Sequence, residues 1–271
     1  MLTKLVICAK WGTKYGTEYV NRLYGMVSRN ITPPFEFICF TDSSEGIRPE
    51  VKCLPMPELR SGPPARTRGQ WRKVTLWNEE LYGLSGPALF IDLDSVIVGN
   101  LDPYFSFGDP DDVILARNWA RPLQRLGQTS VFRFPIGRNG HVLRNFEADP
   151  QGIADRFHYE QHFVTHSIGK RLKFWPPSWT RHFRIHCLGS LPFRYLREAR
   201  LPKTARIVTF AGGPNPSDVI DGRWSPYSPP YGGVWTHLRR TFDRTARRGT
   251  AWRHLKQFVR PCSWIRELWR D

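Results

Sequence analysis

The first forty residues alternate two strand-length apolar runs with one amphipathic stretch, and this alternation restricts the fold more than any other feature of the chain. Residues 3–9 form the first run and residues 35–41 the second, and a loop at 10–16 follows the first. The stretch after the loop places four apolar residues at the spacing of one helix face: Val20, Leu23, Tyr24 and Val27. Strand, loop, helix and strand in this order predict the opening of an α/β sheet.

Strand-length apolar runs recur over the next two hundred residues. Further apolar runs of strand length lie at 88–91, 95–98, 113–116, 131–134 and 207–210. Ahead of them, a predicted helix places four large apolar residues on one face: Trp71, Val74, Trp77 and Leu81. We therefore predict an α/β domain over residues 1–225, followed by a basic helical extension over residues 226–271.

The charge of the chain is strongly positive and unevenly distributed. Lys and Arg number 40 against 24 Asp and Glu, which gives +16, and residues 236–271 carry +7 of it. Such an excess indicates an anionic partner: a nucleic acid, an anionic membrane surface or a phosphorylated substrate. No DNA- or RNA-binding motif accompanies the charge, so nucleic acid is the least favoured of the three.

The apolar runs and the cysteines restrict the compartment. No run approaches the ~20 residues of a membrane-spanning helix, and the first run is too short for the core of a signal peptide. The 5 cysteines are scattered without a C-x-x-C pair, which predicts reduced thiols and argues against structural zinc. We expect a cytoplasmic protein.

The sharpest local signal is an acidic pair, Asp92 and Asp94, directly after the apolar residues 89–91. Carboxylates that end a strand on a continuing extended chain point into the crevice where α/β sheets bind ligands, and their oxygens suit Mg²⁺ or Mn²⁺ bridging a diphosphate. The alternative is a turn with two solvated aspartates. Apolar residues 96–98 follow the pair and favour the cation, because solvated turns are seldom bracketed by apolar chain.

The stretch 71–105 carries a wider pattern in which a lysine-bearing helix precedes an apolar strand, the acidic pair and an Asn-Leu-Asp turn. Its members stand in this order: Lys73, Asp92, Asp94, Asn100, Leu101 and Asp102. This pattern resembles glycogenin and the wider family 8-like retaining glycosyltransferases of the GT-A fold. Small bacterial members are the most similar, through K-W-G-x-x-Y at 10–15 and F-W-P-P-S-W at 174–179. The resemblance implies a Rossmann-like, mixed and mostly parallel sheet flanked by helices.

The resemblance also implies roles for individual residues. Those expected to bind the nucleotide-sugar donor are Ala9, Lys10, Trp11, Tyr15, Lys73, Asp92, Leu93, Gly212 and Gly213. Those expected in catalysis are Asp94, Glu160 and Gln161, with Mn²⁺ or Mg²⁺ bound by Asp92 and Asp94. Simpler explanations stay open for two of these pairs. Trp11 and Tyr15 could belong to the core or brace their loop instead of stacking on uracil, and Glu160 and Gln161 could simply begin a helix.

One position departs from the family pattern. The family's last strand ends in His-x-Gly, whose histidine is the third metal ligand, and Ala211 stands at that position here. Alanine cannot bind a metal, so three alternatives remain: water or the diphosphate completes the shell, Asn215 or Asp218 compensates, or the dependence on metal is weak. Gly212 and Gly213 would still let backbone N–H groups approach phosphates closely.

The tail from residue 234 onward predicts two basic amphipathic helices separated at Pro261. Arginines interleaved with Trp, Phe and Leu are typical of a segment that lies on an anionic membrane. The alternative is that the aromatic residues pack onto the domain and the arginines are solvated. A separate set of histidines at i, i+4 spacing, His158, His162 and His166, predicts a polar helix face near the acceptor rather than a zinc site.

Together these features predict a glycosyltransferase that moves a sugar from a nucleotide-sugar, with UDP-sugar favoured, to a hydroxyl acceptor. The acceptor classes are a glycan, a lipid-linked sugar or another hydroxyl compound, and the basic tail suits polysaccharide synthesis at the inner face of a membrane. Two other functions stay open. One is a sugar-phosphate nucleotidyltransferase, which also uses paired carboxylates and a metal. The other is a degenerate protein that binds a nucleotide-sugar without catalysis. Ala211, at the position of the family's metal-binding histidine, is the reason to consider it.

Overall fold

A computed structural model describes residues 3–67, 70–243 and 249–271. The strands are β1 Lys4–Lys10, β2 Phe35–Thr41, β3 Lys52–Pro55, β4 Gly86–Ile91, β5 Ser95–Ile97, β6 Ile114–Arg117, β7 Gly127–Ile136, β8 Lys173–Phe174, β9 Thr180–His182 and β10 Ile207–Thr209. The α-helices are α1 Thr17–Asn30, α2 Asp102–Ser106, α3 His141–Ala148, α4 Pro150–Phe157, α5 Glu160–Ile168, α6 Leu191–Leu196, α7 Pro216–Ile220, α8 Val234–Phe242, α9 Ala251–Lys256 and α10 Ser263–Leu268.

Seven of these strands form one sheet in the order β3-β2-β1-β4-β7-β6-β8. Strand β7 runs antiparallel to both neighbours, β4 and β6, whereas the other neighbouring pairs are parallel. A second, three-stranded sheet has the order β5-β10-β9. The prediction of a mixed, mostly parallel sheet flanked by helices is therefore confirmed.

The first strand shows why the large sheet is covered on both faces. Every residue of β1 after Lys4 is buried, and alternate side chains enter two separate cores, as the two-residue period of a strand requires. Val6 and Cys8 pack with Leu23 of α1 on one face. Leu5 and Ile7 pack with the segment before β4 on the other face. A strand buried on both faces reads as a continuous apolar run.

The predicted helix before β4 is a 3₁₀-helix over Arg72–Trp77. A 3₁₀-helix has three residues per turn, so Trp71, Val74 and Trp77 fall on one line, and all are buried. The α-helical spacing was therefore the wrong interpretation of a period of three. Leu81 is also buried, but it lies beyond the end of this helix.

The predicted continuation of one strand through the acidic pair is wrong. The Ser95 amide donates to the Asp92 carbonyl at 3.1 Å, which closes a turn at the pair. Beyond the turn, β5 leaves the large sheet and pairs antiparallel with β10 in the small one. The apolar residues after Asp94 are buried as expected, but they serve a different sheet.

The tail differs from the two predicted helices, because α8, α9 and α10 all lie in its described part. Pro261 separates only the last two, and Arg244, Arg247 and Arg248 fall outside the described residues. Helix α10 joins the core: Ile265 is fully buried, and the Trp269 ring lies 5.0 Å from that of Tyr19. Helices α8 and α9 instead leave large aromatic side chains exposed. The packing alternative therefore holds for α10, whereas the exposed aromatic residues of α8 and α9 leave both alternatives open there.

The cysteines and the helix lengths agree with the sequence. All five cysteines are free thiols, and four of them are buried. Among the helices of the described residues, none combines the length and apolar character needed to cross a bilayer.

Candidate active site

The acidic pair lies at the edge where the two sheets meet. Strand β4 ends at Ile91, which pairs with Val131 of the antiparallel β7, so the N-terminal end of β7 lies beside the C-terminal ends of β1 and β4. The Asp92 amide donates to the Ser130 carbonyl at 2.8 Å and fixes the start of the turn. Ligands of open α/β sheets bind at this carboxyl edge.

Lys73 holds the first aspartate. Its Nζ lies 2.7 Å from Oδ1 of Asp92 and donates to the Thr129 carbonyl at 3.0 Å. Burial alone would lower the pKa of Lys73, but Asp92 and Glu160 more than offset this and raise it. The lysine therefore remains a cation in a buried position, where its charge acts strongly on neighbouring groups.

Tyr15 holds the second aspartate. Asp94 is 8% exposed, and its Oδ2 accepts a hydrogen bond of 2.9 Å from the Tyr15 hydroxyl. Burial and the charge of Asp92 raise the pKa of Asp94 to about 6, against the opposing effects of Tyr15 and of the cations Lys14 and Lys73. Burial and the charge of Asp92 destabilise the ionised form of Asp94, and a bound cation would stabilise it.

The donor set fits a hard divalent cation with an incomplete protein shell. Oδ2 of Asp92 and Oδ1 of Asp94 have no hydrogen-bond partner among the described residues. Mg²⁺ is commonly held by one or two carboxylates together with waters and substrate phosphates. The described residues contain no group of three or more acidic, His or Cys side chains that could hold a metal ion alone.

The two residues considered as replacements for the missing histidine have structural partners. Asn215 and Asp218 form a capping box at the start of α7, in which the Asn215 amide donates to Oδ2 of Asp218 at 2.9 Å. Asn215 Oδ1 also lies 3.5 Å from the Tyr15 hydroxyl. The Ala211 carbonyl accepts a hydrogen bond of 2.9 Å from Nε2 of His182. Between Asn215 and Asp218, only Asn215 approaches Asp94, through the Tyr15 hydroxyl that both contact.

Glu160 and Gln161 begin helix α5, as predicted. Glu160 is 5% exposed; its Oε2 accepts from the Thr129 hydroxyl at 2.7 Å, and its Oε1 is buried with no hydrogen-bond partner. Burial raises the Glu160 pKa, and Lys73 and Thr129 oppose that rise. The Gln161 side chain is half-buried and makes no hydrogen bond within the described residues.

No site role was predicted for Thr129, which links Lys73, the partner of Asp92, to Glu160. Its carbonyl binds Lys73 and its hydroxyl binds Glu160. Its place at the start of an apolar strand is visible in the sequence. Only the antiparallel direction of β7, however, brings that N-terminal end beside the C-terminal ends of β4 and β6.

The loop after β1 separates the roles expected of its two aromatic residues. The Tyr15 ring lies 4.7 Å from the Tyr19 ring and 4.6 Å from Nζ of Lys14. Tyr15 therefore braces Asp94 through its hydroxyl, while its half-buried ring contacts Lys14 and Tyr19. Trp11 is half-buried as well, and no hydrogen bond in the described residues joins it to the acidic pair.

The remaining predicted donor-binding residues around this edge are less available. Ala9 and Lys10 are each 8% exposed at the end of β1, with Nζ of Lys10 4.0 Å from Asp42. Leu93 packs into the core between the two aspartates, so only its backbone faces the site.

The loop after β10 needs both of its glycines. Gly212 and Gly213 have φ of +78° and +69°, a region that side chains rarely enter. The Gly213 amide donates to the Phe210 carbonyl at 3.0 Å, so it is not free for a phosphate. A Cβ at Gly213 would meet open space, whereas one at Gly212 would lie 3.3 Å from Nη2 of Arg184.

A cleft of about 220 Å³ opens at the same edge, after the end of β6. Trp119 and Trp175 lie in its lining together with Arg181 and His186. The Trp119 ring is 5.5 Å from that of His182, which binds the loop after β10. This cleft therefore adjoins the loop after β10.

The three histidines predicted on one helix face do not share a helix. His158 follows the end of α4 with φ of 60°, whereas His162 and His166 lie on α5. The left-handed turn at His158 breaks the periodicity, and no metal-binding group includes these side chains in the described ranges.

The fold is similar to those of solved glycosyltransferases. GlyE from Streptococcus pneumoniae TIGR4 superposes with a TM-score of 0.58 at 9% identity over 99% of this chain and 66% of GlyE. The galactosyltransferase LgtC, solved with donor and acceptor sugar analogs, gives 0.57 at 8% identity over 97% of this chain and 99% of LgtC. The bifunctional glycosyltransferase WbbM gives 0.56 at 11% identity over 80% of this chain and 47% of WbbM. The chain spans about half of WbbM and nearly the whole of LgtC.

No family model matches the sequence, and no curated protein matches it. The similarity therefore lies in the fold, which is that of GT-A glycosyltransferases.

Proposed function

We propose that this protein is a glycosyltransferase that moves a sugar from a nucleotide-sugar donor, most simply a UDP-sugar, to a hydroxyl acceptor. The observation that carries the proposal is the acidic pair. Asp92 and Asp94 are oriented by Lys73 and Tyr15, and each keeps one unpartnered carboxylate oxygen at the carboxyl edge of the sheet. The superposition on LgtC adds support, because that protein was solved with donor and acceptor sugar analogs.

Asp92 and Asp94 would hold Mn²⁺ or Mg²⁺ against the diphosphate. A bound divalent cation supplies positive charge that offsets the charge developing on the diphosphate leaving group. Lys73 contributes a fixed cation at the same place, because its ammonium is buried against Asp92. Electrostatic stabilisation of this kind is commonly the largest single contribution to catalysis.

The remaining residues would orient the donor. Trp11 would stack on the base, and Tyr15 would hold Asp94 in its binding orientation. The buried Oε1 of Glu160 is an unpartnered acceptor for a sugar hydroxyl, and leaving such an atom unpaired costs about 1–3 kcal/mol. The Gln161 amide, one residue along, would lie beneath the anomeric carbon.

The acceptor would enter through the cleft lined by Trp119 and Trp175. The half-buried Trp119 ring suits the apolar face of a sugar, whereas Trp175 is buried. Through Trp119 and His182 the cleft adjoins the loop after β10. In a retaining reaction by same-face attack, the acceptor oxygen bonds to the anomeric carbon as the bond to the diphosphate oxygen breaks. The electron pair leaves with the diphosphate, which takes the hydroxyl proton.

A screen of nucleotide-sugars tests this function directly. We expect wild-type protein with Mn²⁺ to release nucleoside diphosphate from at least one UDP-sugar, and Asp94→Asn to lose that release by at least a hundredfold. Asp111→Asn, which changes an exposed carboxylate away from the site, should match wild type. Formation of pyrophosphate from a nucleoside triphosphate and a sugar phosphate would instead identify a nucleotidyltransferase, and UDP binding without turnover a degenerate binding protein.

We also propose that α8 and α9 contact an anionic membrane. Trp235, Phe242 and Trp252 are 77%, 84% and 59% exposed, and the two helices carry arginines beside them. Helix α6 contacts α9 through the Tyr195 hydroxyl, which binds the Leu255 carbonyl, and its Leu196 is also exposed. Each basic residue near such a surface contributes about 1 kcal/mol. A lipid-linked acceptor would suit this position.

Vesicle flotation tests the membrane contact. Wild-type protein should float with vesicles that contain anionic lipid and not with purely zwitterionic ones. The double variant Trp235→Ser, Phe242→Ser should lose most of this binding, whereas Tyr82→Ser, an exposed aromatic residue before β4, should keep it. Equal flotation of the double variant and wild type would contradict the proposal.

A further inference from the structure

The charge around the acidic pair requires more cations than the site residues supply. Three acidic side chains lie here, Asp92, Asp94 and Glu160, and Lys73 forms an ion pair with the first of them. A divalent cation would offset this excess, but a bound diphosphate then adds further negative charge. Ala211 contributes no ligand to hold the cation. A second source of positive charge is therefore needed for the diphosphate itself.

Arg184 lies on one side of the loop after β10. It belongs to a single π-helical turn over Phe183–Cys187, and its Nη2 is 3.3 Å from the place that a Cβ on Gly212 would occupy. No acidic side chain of the described residues forms an ion pair with it, and burial is the sole cause of its lowered pKa. The positive charge of Arg184 therefore has no acidic partner. It lies beside the loop after β10, in which Ala211 stands where the family has its metal-binding histidine.

Lys14 lies in the loop after β1, which approaches the loop after β10 through Tyr15 and Asn215. Its Nζ is over the ring of Tyr15, whose hydroxyl binds Asp94 and lies 3.5 Å from Asn215 of the β10 loop. Lys14 is exposed and forms no ion pair in the part of the chain that the structure describes.

We propose that Lys14 and Arg184 form a cationic clamp for the diphosphate of the donor, which takes over part of the role of the absent metal-ligating histidine. The inference rests on the proposed function and deepens it. Guanidinium and ammonium groups both bind phosphate, the guanidinium often through two parallel hydrogen bonds. A Cβ on Gly213 would meet open space, so the loop after β10 leaves room for phosphate oxygens beside Arg184. The clamp gives the protein affinity for a nucleoside diphosphate in the absence of metal.

Calorimetric titration with UDP, UMP and uridine in EDTA tests the clamp. Wild-type protein should bind UDP in EDTA at least tenfold more tightly than uridine, and added Mn²⁺ should strengthen UDP binding further. Arg184→Gln and Lys14→Gln should each weaken UDP binding by about ten- to a hundredfold and leave uridine binding unchanged. Arg184→Lys should recover part of the loss. Arg72→Gln, an equal change of charge at an exposed position next to Lys73, should match wild type.

Three other outcomes would overturn the clamp. If Arg184→Gln weakens uridine and UDP equally, the arginine has a structural role only. If wild type binds UDP with Mn²⁺ but shows no preference for UDP over uridine in EDTA, the clamp fails while the proposed function stands. If wild type binds UDP under neither condition, the clamp and the proposed function both fail. Circular dichroism of each variant checks that the fold is kept.

Discussion

The hydroxyl of Tyr15 donates a hydrogen bond of 2.9 Å to Oδ2 of Asp94. The two residues are 79 positions apart in the sequence, so this bond links the loop after β1 to the turn after β4. It fixes the orientation of the second aspartate before any ligand binds. A carboxylate that is already oriented loses less side-chain entropy when it holds a cation.

Tyr15→Phe removes this bond and keeps the ring. We expect UDP binding in the presence of Mn²⁺ to weaken by at least tenfold, because a hydrogen bond to a charged group contributes about 1.5–3 kcal/mol. Calorimetry measures the change. Tyr19→Phe is the matched control, since its hydroxyl binds Ser217 and not the acidic pair. Equal affinities for Tyr15→Phe and wild type would show that the bond does not prepare the site.

Lys73→Met leaves Asp92 and Glu160 without their buried counter-charge. Removal of one partner of a buried ion pair costs about 3–5 kcal/mol, so we expect a loss of this size in the free energy of unfolding by urea. The double variant Lys73→Met, Asp92→Asn should recover part of it. Arg48→Gln breaks the exposed pair with Glu50 and should cost less than about 1 kcal/mol. An equally small cost for Lys73→Met would contradict the buried pair.

The sequence predicts the elements of this fold better than their connections. The apolar run at residues 35–41 coincides with β2, and Glu160 begins α5. Both could be predicted because apolar runs and acidic residues at helix starts are patterns of neighbouring residues. Between Asp92 and Ser95 the chain passes from the large sheet to the small one, and nothing in the neighbouring sequence indicates this. Strand β5 is apolar like β4, and its partner β10 lies about a hundred residues later in the chain. The role of Thr129 depends on β7 being antiparallel, which side-chain pattern alone does not reveal.

The same distinction applies to the site. The acidic pair and Lys73 follow from their order in the chain, and the structure joins them by a direct contact. Arg184 lies within no motif and reaches the loop only through a π-helical turn. The contacts of the Tyr15 ring with Lys14 and Tyr19 depend on the conformation of the loop, which the sequence alone does not define.

Gly25→Ala tests how the last helix joins the domain. A Cβ on Gly25 would lie 2.8 Å from Cα of Asp271, and Arg29 of the same helix binds the Asp271 carbonyl at 2.7 Å. We expect a loss of about 1–3 kcal/mol from the clash, although alanine favours a helix over glycine by about 1 kcal/mol. Urea unfolding followed by tryptophan fluorescence measures it. Ser28→Ala, on the exposed face of α1, serves as the control, and a stabilising Gly25→Ala would contradict the contact.

His182 makes stability dependent on pH through the loop after β10. Burial lowers its pKa from 6.5 to about 4, so the unfolded chain binds a proton between these values when the folded chain does not. Stability therefore falls as the pH falls through this window, by about 2 kcal/mol between pH 7 and pH 5 from this residue. Urea unfolding at both values, compared between wild type and His182→Gln, isolates the contribution. An equal loss in both proteins would exclude His182 as its source.

Calorimetric titration of UDP into the wild-type protein and into Asp94→Asn, each with and without Mn²⁺, tests the central claim most directly. Asparagine keeps the size of the side chain and removes its charge. We expect Mn²⁺ to strengthen UDP binding to wild type at least tenfold and this gain to disappear in Asp94→Asn, while the metal-free affinity is kept or increased. A gain from Mn²⁺ that is the same in both proteins would contradict this expectation.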